Sequence, residues 1–87
     1  MYSKEVVIKN QVGLHARPAT YFIQKANEFK DEIKVTKDDR EVNAKSLLGV
    51  LSLGITRGSS IKLTAYGETE KDAVEALVAL IESNFEE

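Results

Sequence analysis

Gly13-Leu14-His15-Ala16-Arg17-Pro18-Ala19-Thr20 is the stretch from which the rest of the chain can be read. It holds the only histidine and the only proline among the 87 residues. A run with strand periodicity precedes it and a run with helical periodicity follows, which marks a strand-to-helix junction. Gly13 lets the chain bend sharply at little steric cost. Pro18 suits the first turn of a helix, where N–H groups lack intrahelical acceptors anyway. The helix is therefore expected to start at Ala16, with His15 as its cap.

That placement has chemical content. The first N–H groups of a helix point at whatever precedes it, and the helix dipole favours negative charge there. An imidazole beside those donors, with Arg17 one step inside, suits a phosphoryl group. The ring is then the nucleophile. The first backbone N–H groups, those of Ala16 and Arg17, and the planar fork of the guanidinium hold the phosphoryl oxygens. The plainer alternative makes His15 a surface cap and Arg17 a solvated charge. For a lone histidine the plainer reading starts ahead; histidine, arginine, first-turn proline and a free helix start in one place weaken it, and the residues alone leave both readings open.

Composition narrows the classes. The length suits one small domain over residues 1–87. With no cysteine there is neither a disulfide framework nor a thiolate metal site, and a single histidine argues against zinc, so no metal or cofactor is expected. No apolar run approaches the roughly 20 residues of a membrane span. Met1-Tyr2-Ser3-Lys4-Glu5 lacks the layout of a signal peptide. A soluble, cytoplasmic protein is expected. The net charge of −2 is unevenly spread. Residues 68–87 carry seven acids and one lysine, and residues 1–67 carry eleven bases and seven acids. A moderately positive body can be steered towards an acidic partner. It is too weakly basic for a nucleic-acid assignment.

The elements follow from periodicity. Ser3 to Lys9 reads as a strand, with Val6 and Ile8 facing a core and Lys4 at a frayed start. After the Asn10–Gly13 loop, Ala16 to Phe29 reads as a helix. Its expected core face is Ala16, Ala19, Ile23 and Ala26, flanked by Phe22 and Phe29. Ile33 and Val35 belong to a second strand, Asp38-Asp39 to a turn, and Arg40 to Asn43 to a third strand. Ser46 is a good N-cap for a short helix from Leu47 to about Leu53, with Gly54 as its stop. Ile61, Leu63 and Ala65 alternate with Lys62, Thr64 and Tyr66 in a fourth strand. Thr69 is expected to cap a last helix, with Asp72 as a capping-box partner and Glu70 in the first turn. Val74, Leu77, Val78, Ile81 and Phe85 form its apolar face, and Glu82, Glu86 and Glu87 oppose its dipole and favour fraying. The order is β-α-β-β-α-β-α. Alternating strands imply an α+β sheet with one buried face and the helices laid on it.

The short helix is apolar nearly all round. Leu47 and Leu51 share one side, with Leu48 adjacent, while Val50 and Leu53 share the other. Burying all five in the core is one reading. We favour a core role for Val50 and Leu53 and a surface patch of the other three, because so small a domain hides few large residues. Ser46 likewise is an N-cap on the plain reading and a phosphorylation switch on the sharper one. A phosphate there would suit the helix start and would set close to two negative charges beside the patch, weakening an acidic partner.

Gly13-Leu14-His15-Ala16-Arg17-Pro18-Ala19-Thr20 and Asn43-Ala44-Lys45-Ser46-Leu47-Leu48-Gly49-Val50-Leu51-Ser52-Leu53-Gly54-Ile55 together resemble the HPr family. These are the histidine-containing phosphocarriers of the bacterial phosphoenolpyruvate-dependent sugar phosphotransferase system. The resemblance covers essentially the whole chain. It implies an open-faced β-sandwich, a four-stranded antiparallel sheet of order 1-4-2-3 with three helices on one face. It implies that His15 accepts a phosphoryl group at Nδ1 from phospho-Enzyme I, with Arg17 assisting, and donates it to sugar-specific enzyme IIA domains. The protein is then a relay component and not an enzyme. Thr20, Leu47, Leu48 and Leu51 match the family's docking surface, where methionine or phenylalanine often replaces leucine. Ser46 matches the site of the HPr kinase/phosphorylase, and its phosphorylated form partners a catabolite-control transcription factor. A monomer is expected. A regulatory branch of the family lacks the active-site histidine, so His15 points to a phosphocarrier.

Two rival functions have discriminating features. An RNA-binding module shares the β-α-β-β-α-β order but stacks bases on aromatic residues of central strands. Here those strands offer mostly Val, Ile, Lys and Thr, with Tyr66 alone. A purely regulatory interaction protein would work through Ser46 and the leucine patch without His15 chemistry.

Overall fold

The computed structural model describes residues 1–85. The elements are β1 (Tyr2–Val7), α1 (Ala16–Ala26), β2 (Glu32–Lys37), β3 (Arg40–Asn43), α2 (Leu47–Ser52), β4 (Ser60–Tyr66) and α3 (Glu70–Glu82). The strands form one antiparallel sheet in the order β1-β4-β2-β3. Val6 pairs with Ile61, and Leu63 with Val35, which sets the apolar residues of neighbouring strands on one face. That face, with Phe22 of α1, Val50 of α2 and Val74, Leu77 and Ile81 of α3, forms the core. Residues of opposite parity, such as Glu5, Lys62 and Glu41, stay exposed on the other face. The result is an open-faced α+β sandwich of order 1-4-2-3, as the family resemblance implied.

Several boundaries and faces differ from the sequence-based expectation. β1 ends at Val7, two residues early, because Ile8 leaves the ladder to bond the loop after α2. Ile8 is nevertheless fully buried. Lys4 is not frayed: it lies within β1 and its ammonium pairs with Glu75 on α3 at 3.2 Å. α1 stops at Ala26 instead of Phe29. Asn27 donates from both its backbone N–H (3.0 Å) and its amide Nδ2 (2.9 Å) to the Ile23 carbonyl, the local competition that asparagine offers at helix ends. The buried face of α1 is Ala19, Phe22 and Ala26, while Ile23 is half-buried and Ala16 exposed. Phe22, the largest apolar side chain available, takes the centre and turns Ala16 outward.

The start of α3 is also built differently. Thr69 is the N-cap residue, but its hydroxyl donates to Asp31 Oδ1 and not to its own helix. Its N–H donates to Asp31 Oδ2 at 2.9 Å. Asp72 takes no part in a capping box; Glu70 Oε1 instead accepts from the Gly67 N–H at 3.3 Å. At the other end Asn84 and Phe85 adopt φ of 59° and 63°. The Asn84 N–H donates to the Ile81 carbonyl (3.0 Å) and the Phe85 N–H to the Leu80 carbonyl (2.8 Å). This is a Schellman ending with asparagine at the left-handed position. Phe85 is thereby buried from outside the helix, not as part of it. Glu86 and Glu87, the last two residues of the expected fraying end, lie outside the described residues.

Candidate functional site

The site begins where β1 ends. Asn10 and Gly13 close a turn, with the Gly13 N–H donating to the Asn10 carbonyl (3.2 Å) and Asn10 Nδ2 donating to the Gly13 carbonyl (2.9 Å). Gly13 has φ 65°, and a Cβ there would lie 2.4 Å from the Ile55 carbonyl oxygen and 2.7 Å from Thr56 Cα. Only glycine meets both demands. The fully buried Leu14 then anchors the loop, its N–H donating to the Ile55 carbonyl at 3.1 Å.

With both flanking residues pinned, His15 is carried outward. It is the N-cap residue of α1, with extended φ −129° and ψ 159°, and its side chain makes no capping hydrogen bond. It is exposed. Ala16 follows at φ 53°, in the left-handed region that costs a non-glycine residue about 1–3 kcal/mol and persists only where the surroundings enforce it. The Gly13–Leu14 anchor on one side and the buried Ala19 on the other supply that enforcement. Arg17 is exposed, and no hydrogen bond or ion pair engages it among the described residues. Pro18 stands third in the helix. The exposed Thr20 donates its hydroxyl to the Ala16 carbonyl at 3.3 Å. No acidic side chain occupies the first turn of α1. An 11-residue helix thus presents an N-terminus free of carboxylates, with an imidazole at its cap and a guanidinium in its first turn, an arrangement that receives an anion well.

The second motif lies on the neighbouring helix. Ser46 is the N-cap of α2, its Oγ accepting from the Gly49 N–H at 3.1 Å. Val50 and Leu53 are buried, Leu51 is half-buried, and Leu47 and Leu48 are 43% and 81% exposed. Val50, Leu53, Leu47 and Leu48 divide as their spacing led us to expect, whereas Leu51, expected on the surface patch, is half-buried. α1 and α2 pack against each other. After α2 the chain turns at Gly54 (φ 61°) and reaches Ile55, whose carbonyl holds Leu14. The C-terminal end of α2 is therefore tied to the start of α1. Ser46 lies at the opposite end, about 9 Å further along the axis at 1.5 Å per residue.

Some supporting residues were not identified from sequence. Lys37 Nζ donates to the Leu53 and Gly54 carbonyls (3.3 and 3.1 Å), and Arg40 donates to the Ser52 carbonyl at 2.8 Å and to Ser52 Oγ at 3.2 Å. Two cations of the β2–β3 hairpin thus satisfy the open carbonyl end of the leucine-bearing helix. Lys45 Nζ donates to the Phe29 carbonyl at 2.5 Å. Leu14 carried a usable signal, an apolar residue immediately before a helix cap. Lys37, Arg40 and Asp31 carried none, because their partners lie far along the chain. The Asp31 carboxyl titrates below its ordinary range, chiefly through the Thr69 hydroxyl and further through backbone N–H donors. Glu75 is lowered likewise by Tyr2 and Lys4.

No three His, Cys, Asp or Glu side chains among the described residues group for a metal ion. No described helix is long and apolar enough to cross a membrane. Surface grooves lie between α1 and α3 beside Tyr21 and Leu80, and around Asp31 and Tyr66. His15 stands on open surface, reachable by another macromolecule.

Known proteins share this architecture. The family model described as the PTS HPr component phosphorylation site matches residues 2–83. The HPr-like protein Crh of Halalkalibacterium halodurans is 50% identical over 94% of this chain and 98% of its own. Phosphocarrier protein HPr of Haemophilus influenzae is 47% identical over 93% of this chain and 95% of its own. HPr-C-His from Thermoanaerobacter tengcongensis superposes with a TM-score of 0.97 at 51% identity, covering 100% of this chain and 99% of that one. A chain of the HPr dimer from the same organism superposes at 0.80, with 52% identity and 94% of each chain covered. With the fold, the length and both motifs accounted for, this chain belongs to the HPr family of the phosphotransferase system, a family of phosphocarrier and HPr-like proteins and not of enzymes.

Proposed function

We propose that this chain relays phosphoryl groups in sugar uptake through His15. The observation that carries the reading is the exposed His15 side chain at the carboxylate-free start of α1, with neither it nor the adjacent Arg17 engaged among the described residues. Nδ1 attacks the phosphorus carried by phospho-Enzyme I, forming an N–P bond as the bond to the donor breaks. In the second half-reaction a nucleophile of an enzyme IIA domain takes the group and His15 is regenerated. Arg17 and the N–H groups of Ala16 and Arg17 hold the phosphoryl oxygens. Docking supplies the alignment, and alignment supplies most of the catalysis.

Thr20, Leu47, Leu48 and Leu51 form the docking surface, supported by the packing of α1 on α2 and the exposure of Leu47 and Leu48. The interface is small, about 1,200 Å², because each partner must be released every cycle. Ser46 is the regulatory site, modified by the HPr kinase/phosphorylase and read by a catabolite-control transcription factor. The protein acts in the cytoplasm as a monomer, its exposed leucines kept for partners.

Incubation with phosphoenolpyruvate and Enzyme I tests the central step. The wild type acquires an acid-labile phosphate on His15. His15→Ala stays folded and acquires none. Normal labelling of that variant would overturn the relay. An unlabelled wild type that is still modified at Ser46 would favour a purely regulatory protein.

A further inference from the structure

The loop that buttresses His15 carries a charge of its own. The Ser59 N–H donates to the Thr56 carbonyl at 3.0 Å and Gly58 has φ 90°, which closes a β-turn with Arg57 at its first corner. The turn is held on two sides. The Gly58 N–H donates to the carbonyl of the buried Ile8 at 2.7 Å, and the Ile8 N–H donates to the Ser59 carbonyl at 2.9 Å. On its other side lies Gly13, with no room for a Cβ against Thr56 Cα, and the Ile55 carbonyl accepts from Leu14. Arg57 is therefore one residue from the segment that touches Gly13, and Gly13 is two residues from His15.

The chain has three arginines. Arg40 is engaged with Ser52. Arg17 and Arg57 are both exposed and carry no hydrogen bond or ion pair among the described residues. Both stand at the His15 loop, one on each of the segments that meet there. A cation on a hydrogen-bonded turn loses little backbone freedom when a partner engages it. At the rim of an interface such a charge raises the association rate and fixes orientation more than it adds affinity.

We infer that Arg57 is a specificity-determining docking residue. Its guanidinium takes carboxylate groups of the protein that delivers the phosphoryl group, the complement of an exposed and unpaired cation, while Arg17 serves the phosphoryl group itself. This rests on the His15 relay proposed above and adds a second, separate cation to it. Arg57 is a positioning residue, acting on the partner and not on the transferred phosphorus.

The test is the rate of phosphoryl transfer from phospho-Enzyme I to Arg57→Gln and Arg57→Lys at several salt concentrations. For Arg57→Gln, KM rises about three- to five-fold at low ionic strength with kcat unchanged. The gap from wild type closes towards about 0.5 M salt, where exposed charges are screened. Arg57→Lys recovers most of the loss, and thermal melting of both variants matches wild type. Unchanged KM and salt dependence in Arg57→Gln, with wild type labelled on His15, would overturn the assignment and leave the relay standing. A fall in kcat at saturating donor would also overturn it, since that would place Arg57 on the phosphoryl group. A wild type that takes no label on His15 overturns the relay itself.

Discussion

Gly13 shows how much a single position constrains this surface. Its positive φ would cost any other residue backbone strain, and an added methyl would meet the Ile55 and Thr56 backbone, which cannot swing aside as a side-chain tip can. Gly13→Ala is expected to lose more than about 2 kcal/mol of unfolding free energy, measured by urea denaturation. It should also slow phosphoryl acceptance, because the same contact sets the course of the chain into His15. A variant of wild-type stability would mean that the loop has room the structure does not show. Ala16 works the other way: its φ of 53° departs from relaxed helix geometry and is held there by Leu14 and Ala19.

Between elements, Asp31 joins the start of β2 to the start of α3. It is nearly buried, accepts from both the N–H and the hydroxyl of Thr69, and leaves no room for a side chain at Gly67, where a Cβ would lie 2.3 Å from Oδ2. These donors favour the carboxylate, so its titration is depressed in the folded state relative to the ordinary 3.8. A depressed carboxylate contributes its full stability above the unfolded value. That contribution is lost as pH falls through the folded value. Asp31→Asn should therefore be destabilised most near neutral pH. Its deficit should shrink as the buffer is taken from about pH 6 down to about pH 2 in urea melts. A deficit that is the same at both ends would show that the charge plays no part. α2 illustrates the same principle with neutral and cationic groups, Ser46 serving its N–H end and Lys37 and Arg40 its carbonyl end.

For the whole molecule, the sheet decides what the helices can present. One face of the sheet takes up the apolar sides of all three helices, so whatever remains apolar on them stands outward. On α2 that remainder is Leu47, Leu48 and part of Leu51. α1 packs on α2, which brings the helix that begins beside His15 against the helix that carries these leucines. On the docking surface proposed above, a charge at Ser46 is expected to act on docking without touching His15. Ser46→Asp is expected to keep the fold, since the carboxylate can still cap α2, and to slow transfer from phospho-Enzyme I through KM. An unchanged rate in a stopped-flow assay would remove Ser46 from the control of docking.

The sequence by itself determined the element order, the sheet face formed by Val6, Ile33, Val35, Ile61 and Leu63, the cap at Ser46 and the division of Val50 and Leu53 from Leu47 and Leu48 at α2. Each is a local matter of periodicity or of a side chain bonding within a turn of itself, which composition and spacing encode directly. It also placed His15, Arg17 and Pro18 at a helix start, because proline and glycine signal backbone geometry at their own positions. Only the tertiary structure decided where Thr69 spends its hydroxyl, which side chain leads the core face of α1, and what pins the His15 loop. Those outcomes depend on Asp31, Phe22 and Ile55, partners distant in sequence or set by packing competition. A hydrogen bond between residues 38 positions apart leaves no periodic trace. The approach of Ile55 to Gly13 exists only after the sheet has closed, and it is that approach which turns a lone histidine into an exposed, oriented group.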